Sequence, residues 1–155
     1  MTLGFQVKVE MIPRQRVVYM RRTGAYGIEN YVLMETFKSW ILEQRGFRED
    51  DVILGAALDN PMVKNPSLCR YDVCLVVSEQ ECIEDKEVGT RYLDGGNYLV
   101  FQIEHTAKAV TKAWEECIPF LYQQGYQLDG TRPILERYEK RKVDSHLCEL
   151  CFPIV

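Results

Sequence analysis

The feature that most constrains this sequence is a pattern that occurs twice. Each half contains one stretch in which apolar residues recur with the period of a helix, followed by two strand-like segments. These segments lie at residues 28–45, 52–58 and 70–77, and again at 107–124, 133–138 and 147–152. Three pairs of matching residues keep nearly constant separations of 79, 80 and 77 residues: Gly46 with Gly125, Leu54 with Ile134, and Asp72 with Glu149. A repeat of this kind predicts two copies of one structural unit.

Strand-like segments also precede each helix. Apolar and polar residues alternate from Leu3 to Met11, and a Val- and Tyr-rich segment follows at 16–22. In the second half, strands are predicted at 88–93 and 98–103, on either side of the turn sequence Asp94-Gly95-Gly96-Asn97. Each half therefore has the order strand, helix, strand, strand, preceded by an extra N-terminal strand.

These segments predict an α+β fold in which residues 1–155 form a single domain. We expect half one at about 1–77, a polar linker at about 78–87, and half two at about 88–155. A pseudo-twofold axis would relate the halves, with both helices on one side of an antiparallel sheet. The junction of two such halves is a common place for a ligand, so we expect a central pocket there.

Composition excludes several classes of function. The formal net charge is -4, so there is no basic surface of the kind that binds nucleic acid directly. The N-terminus lacks the apolar region of a signal peptide, and the longest apolar run, at 52–58, is too short to span a membrane. We therefore expect a cytoplasmic protein without nucleic-acid or membrane partners.

The six cysteines and two histidines give no support for a metal or cofactor. Without a secretion signal, an even cysteine count does not predict disulfides, so we expect six free thiols. Cys148 and Cys151 have the spacing of a redox or zinc motif, but a strand would direct them to opposite faces. His105 and His146 occupy non-equivalent places, and no Gly-rich phosphate loop is present. We predict neither a metal site nor a cofactor.

Aromatic residues and one carboxylate are the best candidates for a site. The chain has nine Tyr, six Phe and two Trp, a set that suits either core packing or the binding of flat and cationic ligands. Glu136 lies between apolar neighbours and shares one strand face with Ile134 and Tyr138. Two interpretations remain open. Either Glu136 points into an aromatic cavity, or it faces solvent and pairs with Arg137 or Lys140.

Short motifs along nearly the whole chain resemble the gyrase-inhibitor-like (GyrI-like) small-molecule-binding domains. This family also supplies the effector-binding domains of multidrug-responsive transcription regulators. The motifs, in chain order, are Arg21-Arg22-Thr23-Gly24-Ala25-Tyr26, Leu58-Asp59-Asn60-Pro61, Arg70-Tyr71-Asp72-Val73-Cys74, Gly95-Gly96-Asn97-Tyr98, Gln124-Gly125-Tyr126, Leu135-Glu136-Arg137-Tyr138 and Glu149-Leu150-Cys151-Phe152-Pro153. The sequence departs from the family in its second half, where Glu104-His105-Thr106 stands in place of a repeated Gly-Pro-Tyr loop.

The resemblance implies a stand-alone domain that senses or sequesters lipophilic, often cationic compounds. It implies that Glu136 is the acidic pocket residue, and we expect aromatic side chains to surround it: Tyr138, Trp114, Tyr26, Tyr71 and Tyr98. Two alternatives come from the same family. One is a hydrolase of electrophilic, cyclopropane-type toxins with Glu136 as its catalytic residue. The other is a module that binds a protein partner such as gyrase or a transcription regulator. No helix-turn-helix precedes Met1, so direct regulation of DNA is not expected.

Overall fold

The computed structural model describes residues 6–155. The strands in this range are β1 (Gln6–Ile12), β2 (Gln15–Thr23), β3 (Val52–Ala57), β4 (Arg70–Val77), β5 (Gly89–Leu93), β6 (Gly96–Glu104), β7 (Ile134–Glu139) and β8 (Leu147–Pro153). The helices are α1 (Ile28–Gln44), α2 (Ala107–Gln123) and the short α3 (Lys140–Asp144), with a single 3-10 turn at Pro66–Leu68. The predicted first strand began at Leu3, and its first three residues lie outside the described range.

Within residues 6–155 the strands form one antiparallel sheet in the order β1-β6-β8-β7-β3-β4-β2-β5. The three strands β3, β4 and β2 belong to the first half, and β7, β8 and β6 belong to the second. The extra strands cross over: β1 pairs with β6, and β5 pairs with β2. Each half therefore contributes one strand to the outer edge of the other, and β3 pairs with β7 at the centre.

The pairing register shows the duplication residue by residue. A shift of 81 residues carries the β1–β6 pair Ile12–Gly96 onto the β5–β2 pair made by Leu93 and Gln15. The helices correspond at a shift of 79, since α1 begins at Ile28 and α2 at Ala107. The α+β fold with two similar halves is thus confirmed, and so are both main helices to within one residue of their predicted ends.

One predicted match was displaced by a residue. Leu54 corresponds to Leu135, and both are buried in the same core cluster. Ile134, the predicted partner, packs against the other face of the sheet. A shift of one residue in a strand exchanges its two faces, so a separation of 80 instead of 81 places the match on the wrong side.

Both main helices pack on one face of the sheet. Met34, Phe37, Trp40 and Ile41 of α1 are buried against the first half. In the second half, α2 buries three side chains against the same face: Ala113, Cys117 and Leu121. The opposite face has a core of its own, formed by strand residues alone. Gln44, predicted on the buried stripe of α1, is exposed because the helix ends at this residue.

The turn at Asp94-Gly95-Gly96-Asn97 does not join two paired strands. Its flanking strands, β5 and β6, lie near opposite edges of the sheet, each paired with the other half. Cys148 and Cys151 lie on opposite faces of β8, as predicted, and all six cysteines are free. No helix among residues 6–155 is both long and apolar enough to cross a membrane.

Candidate functional site

A cavity of about 760 Å³ opens where the end of β3 meets the start of β7. Both halves contribute to its wall. One part, here named the aromatic lobe, consists of Tyr26, Tyr71, Trp114, Ile118 and Glu136. The volume lies within the range of pockets that hold drug-sized molecules. The predicted central pocket is therefore present at the junction of the halves.

Glu136 is held in the aromatic lobe by two tyrosine hydroxyls. Tyr71 from β4 donates a hydrogen bond to Oε1 at 2.9 Å, and Tyr138 from β7 donates to Oε2 at 2.7 Å. Tyr138 and Glu136 are two residues apart on one strand, so their side chains share the helix-covered face. These bonds fix the orientation of the carboxylate and support its charge.

No cationic side chain within residues 6–155 forms an ion pair with Glu136. The two partners considered from the sequence lie elsewhere. Arg137 binds Glu10 and Glu149 on the opposite face, and Lys140 binds Glu49 and Asp144.

Burial raises the pKa of Glu136, and the hydrogen bonds from Tyr138 and Tyr71 offset this in part. Desolvation disfavours the ionised form of a carboxylate, whereas donated hydrogen bonds favour it. The net result is a carboxylate whose charge lacks a counter-charge while its phenolic partners hold it in place.

Gly55 makes this arrangement possible. It faces Glu136 across the β3–β7 pair. A Cβ atom at residue 55 would lie 2.1 Å from the hydroxyl oxygen of Tyr71 and 3.1 Å from Oε1 of Glu136. The hydroxyl of Tyr71 thus occupies the space that any other side chain at residue 55 would fill. A glycine within an apolar strand often marks such a close approach, and this signal was present in the sequence but was not used.

Tyr26, Asp59 and Arg70 form the rim of the aromatic lobe. The Tyr26 hydroxyl donates to the backbone oxygen of Arg70 at 2.6 Å and accepts from the backbone N–H of Asp59 at 3.1 Å. Arg70 donates from Nε and Nη2 to the two carboxylate oxygens of Asp59, at 2.9 and 3.0 Å. This contact holds the pKa of Asp59 well below its usual range. Three motifs far apart in sequence therefore meet and fix the position of Tyr26.

Most of the predicted site residues come together. Glu136, Trp114, Tyr26 and Tyr71 line the cavity, and Tyr138 contacts Glu136 directly. Tyr98 is different: it is buried in the core of the opposite sheet face, with the Arg132 guanidinium 4.7 Å from its ring centre. Tyr98 lies on β6, where the neighbouring residues of both parities are buried, so the sequence pattern did not distinguish the two faces.

Within the described part of the chain, no three His, Cys, Asp or Glu side chains are grouped in a way that could hold a metal ion. The chemistry of the cavity is that of a carboxylate, phenols and apolar surface. These groups suit a ligand with a positive charge and aromatic surface.

Comparison with known proteins agrees with this geometry. The model of the GyrI-like small molecule binding domain matches residues 5–155. The chain belongs to the GyrI-like family. It is 36% identical over 151 residues to the SPbeta prophage-derived putative transcriptional regulator YosT of Bacillus subtilis (strain 168), covering 96% of this chain and 99% of YosT. The GyrI-like assignment thus extends over nearly the whole length of both proteins.

Solved structures share the fold at low sequence identity. The C-terminal domain of EcmrR superposes with a TM-score of 0.75 at 13% identity, over 99% of both chains. In the longer EcmrR chain of a DNA complex, this GyrI-like domain covers 57% of the length, with a TM-score of 0.73. SAV2435 bound to tetraphenylphosphonium has a TM-score of 0.61 at 14% identity, over 97% of this chain and 94% of SAV2435.

Proposed function

We propose that this GyrI-like domain binds lipophilic cations, with Glu136 as the counter-charge, and thereby senses or sequesters toxic compounds. One observation carries the proposal. Glu136 is a desolvated carboxylate without a cationic partner among the described residues, and it faces a cavity with aromatic walls.

The physical argument concerns the cost of an unpaired buried charge. An isolated ionised group inside a protein is unfavourable unless a partner or a proton compensates it. A cation that enters the cavity supplies that partner. It also gains attraction from aromatic faces, and Tyr26, Tyr71 and Trp114 provide three such rings around the carboxylate.

Two relatives support the same direction. The neighbour SAV2435 was solved with tetraphenylphosphonium, a lipophilic cation. YosT and EcmrR are connected by name or by complex to transcription regulation, which fits a sensing role in which the ligand-binding domain reports on compounds. A regulatory partner for this chain is part of the proposal.

The test compares two probes of similar shape, tetraphenylphosphonium and the neutral triphenylphosphine oxide. Glu136→Gln retains the size of the side chain and removes its charge. We expect tetraphenylphosphonium affinity, measured by titration calorimetry, to fall by about 1–3 kcal/mol, the range of a charge-assisted contact. Affinity for the neutral probe should stay within about twofold, because that probe gains nothing from the charge.

A matched control is Glu139→Gln, on the same strand but on the opposite face, where Glu139 lies 3.6 Å from Arg137. This variant makes the same change in net charge and should bind tetraphenylphosphonium as the wild type does. If Glu136→Gln binds both probes unchanged, the proposal is wrong.

The pH dependence gives a second readout. Because burial raises the pKa of Glu136, the side chain becomes protonated at a higher pH than an exposed glutamate. Only the ionised form attracts a cation, so tetraphenylphosphonium affinity should weaken as pH falls through that raised pKa. The Glu136→Gln variant should show no such decrease.

The hydrolase alternative is favoured by the same raised pKa. A carboxyl group that holds its proton closer to neutral pH can act as a general acid or base on an electrophilic substrate. Incubation with a cyclopropane-bearing electrophile, followed by mass spectrometry, distinguishes the two functions. Hydrolysed product formed by the wild type and not by Glu136→Gln would support the enzyme. Unchanged compound would support binding alone.

A further inference from the structure

The cavity wall has a second region of opposite chemistry. Arg21 from β2 and Arg91 from β5 line it together with Tyr92 and Leu93. We name these four residues the basic lobe. Arg21 and Arg91 lie on the face of the sheet opposite to Glu136, and the cavity reaches both faces around the end of the sheet.

The two arginines converge on a single acid. Arg21 donates to both carboxylate oxygens of Asp72, from Nε at 2.7 Å and from Nη2 at 3.0 Å. Arg91 donates from Nη2 to Oδ2 at 2.7 Å, so both guanidinium groups share that oxygen. Two positive charges and one negative charge leave an excess of one positive charge at the cavity wall.

Donor groups remain free in this cluster. The Nε atom of Arg91 is buried and has no hydrogen-bond acceptor among the described residues. Both arginine side chains stay partly accessible, with 35% of Arg21 and 29% of Arg91 exposed. Asp72 is fully buried beneath them, and three hydrogen bonds occupy its oxygens. An incoming anion would therefore meet guanidinium groups before it meets the carboxylate.

The equivalent place in the other half shows that the fold does not require this positive charge. The shift of 81 residues that relates β1 to β5 carries Glu10 onto Arg91, and Glu149 corresponds to Asp72. There Glu10 and Glu149 share Arg137, which gives the opposite excess. A duplicated scaffold thus carries an acidic cluster on one side and a basic cluster, open to the cavity, on the other.

We propose that the basic lobe is an anion-binding subsite that accepts a carboxylate, sulfonate or phosphate group attached to an aromatic body. Guanidinium groups bind such oxyanions through paired, charge-assisted hydrogen bonds. Tyr92 and Leu93 supply the adjoining apolar surface. This extends the ligand class of the cavity beyond cations, and it stands independently of the role proposed for Glu136.

The experiment uses two fluorescent probes, 1-anilinonaphthalene-8-sulfonate and N-phenyl-1-naphthylamine, which share the aromatic body and differ in the sulfonate. Arg91→Gln removes one guanidinium and leaves the Arg21–Asp72 pair in place. We expect affinity of the folded protein for the sulfonate probe to fall by about tenfold, with the neutral probe changed by less than about twofold.

Arg48→Gln is the matched control, because Arg48 lies outside the cavity and pairs with Glu81 at the surface. It changes net charge equally and should leave both probes unaffected. If Arg91→Gln unfolds, Arg91→Lys retains the charge without the fork of donors and should weaken the sulfonate probe by a smaller factor.

The outcome separates this proposal from the function proposed above. Glu136→Gln should leave sulfonate binding unchanged, and Arg91→Gln should leave tetraphenylphosphonium binding unchanged. Equal effects of Arg91→Gln and Arg48→Gln on the sulfonate probe would overturn the anion subsite. So would failure of the wild type to prefer the sulfonate over the neutral probe.

Discussion

The two halves of this GyrI-like domain share one backbone plan but differ at the position that matters most. Gly55 on β3 and Glu136 on β7 are equivalent residues, 81 apart, and they face each other across the central strand pair. One half supplies a carboxylate, and the other supplies the space into which Tyr71 places its hydroxyl. The comparison teaches that the duplication builds the cleft, while its chemistry comes from the departures from symmetry.

The surrounding residues differ in the same way. Tyr138 has Ala57 as its counterpart, and Tyr71 has Cys148. Tyr26 and His105 each stand two residues before a main helix. The His105 ring lies 5.4 Å from the Tyr138 ring, whereas Tyr26 contacts Tyr71 at 6.1 Å. Two glutamates at the pseudo-axis would repel each other and would leave no room for a hydroxyl donor, so only an asymmetric pair can hold one oriented charge.

The largest effect is expected when the empty side of this pair is filled. Gly55→Ala places a Cβ atom 2.1 Å from the Tyr71 hydroxyl, so Tyr71 must move and its bond to Glu136 is lost. Overpacking of this kind typically costs about 1–3 kcal/mol, which urea denaturation would measure. Tetraphenylphosphonium affinity should fall by roughly tenfold.

The double variant Gly55→Ala with Tyr71→Phe provides the control. It removes the hydroxyl that causes the closest contact, so its loss of stability should be smaller than the sum of the two single losses. Strict additivity of the two changes, or wild-type affinity in Gly55→Ala, would show that the gap at Gly55 does not position Tyr71.

The sequence was sufficient for the main helices and the repeat. Periodic apolar residues and terminal glycines fixed α1 and α2, and Gly46 and Gly125 do adopt left-handed φ angles of 77° and 89°. The exchange of β1 and β5 between halves could not be predicted. Strand pairing depends on contacts between distant residues, and the local turn signal at 94–97 pointed to neighbouring strands instead.

The candidate site was only partly predictable. Glu136 and Tyr138 follow from alternation along one strand, but Ile134 and Leu135 are both apolar, so the sequence left the inward face undecided. The resemblance to GyrI-like domains singled out Glu136. Gly55 and the basic lobe were missed because each depends on residues that the fold brings together from several strands.

A smaller effect is expected from the phenol that only the second half provides. Tyr138→Phe removes one hydrogen bond to Glu136, and that bond lowers the pKa of the carboxyl. Loss of the bond should raise the pKa, so the decrease in tetraphenylphosphonium affinity at acid pH should begin at a higher pH. At neutral pH the affinity should fall by about 1 kcal/mol.

Tyr98→Phe is the matched control for this variant, because Tyr98 lies on the opposite face, away from the cavity. It should bind tetraphenylphosphonium as the wild type does, with the same pH profile. If Tyr98→Phe and Tyr138→Phe weaken the cation equally, the phenol of Tyr138 has no special role and Tyr98 returns as a ligand contact.

The smallest effect is expected in the stability of the ligand-free protein, where Glu136→Gln should stabilise. Burial raises the pKa of Glu136 above the ordinary value of 4.5, so the folded state binds this proton more tightly than the unfolded state does. The contribution of Glu136 to stability is therefore full below pH 4.5 and is lost as pH rises through the raised pKa. A neutral glutamine avoids that loss, so the variant should gain about 1 kcal/mol at pH 7, or about 3 °C in melting temperature. The gain should vanish in acid and should be absent from Glu139→Gln, whose carboxylate lies beside Arg137. A loss of stability at pH 7 would mean that the two tyrosine hydroxyls stabilise the charge fully, and that the unpaired carboxylate is not the property that prepares the cavity for a cation.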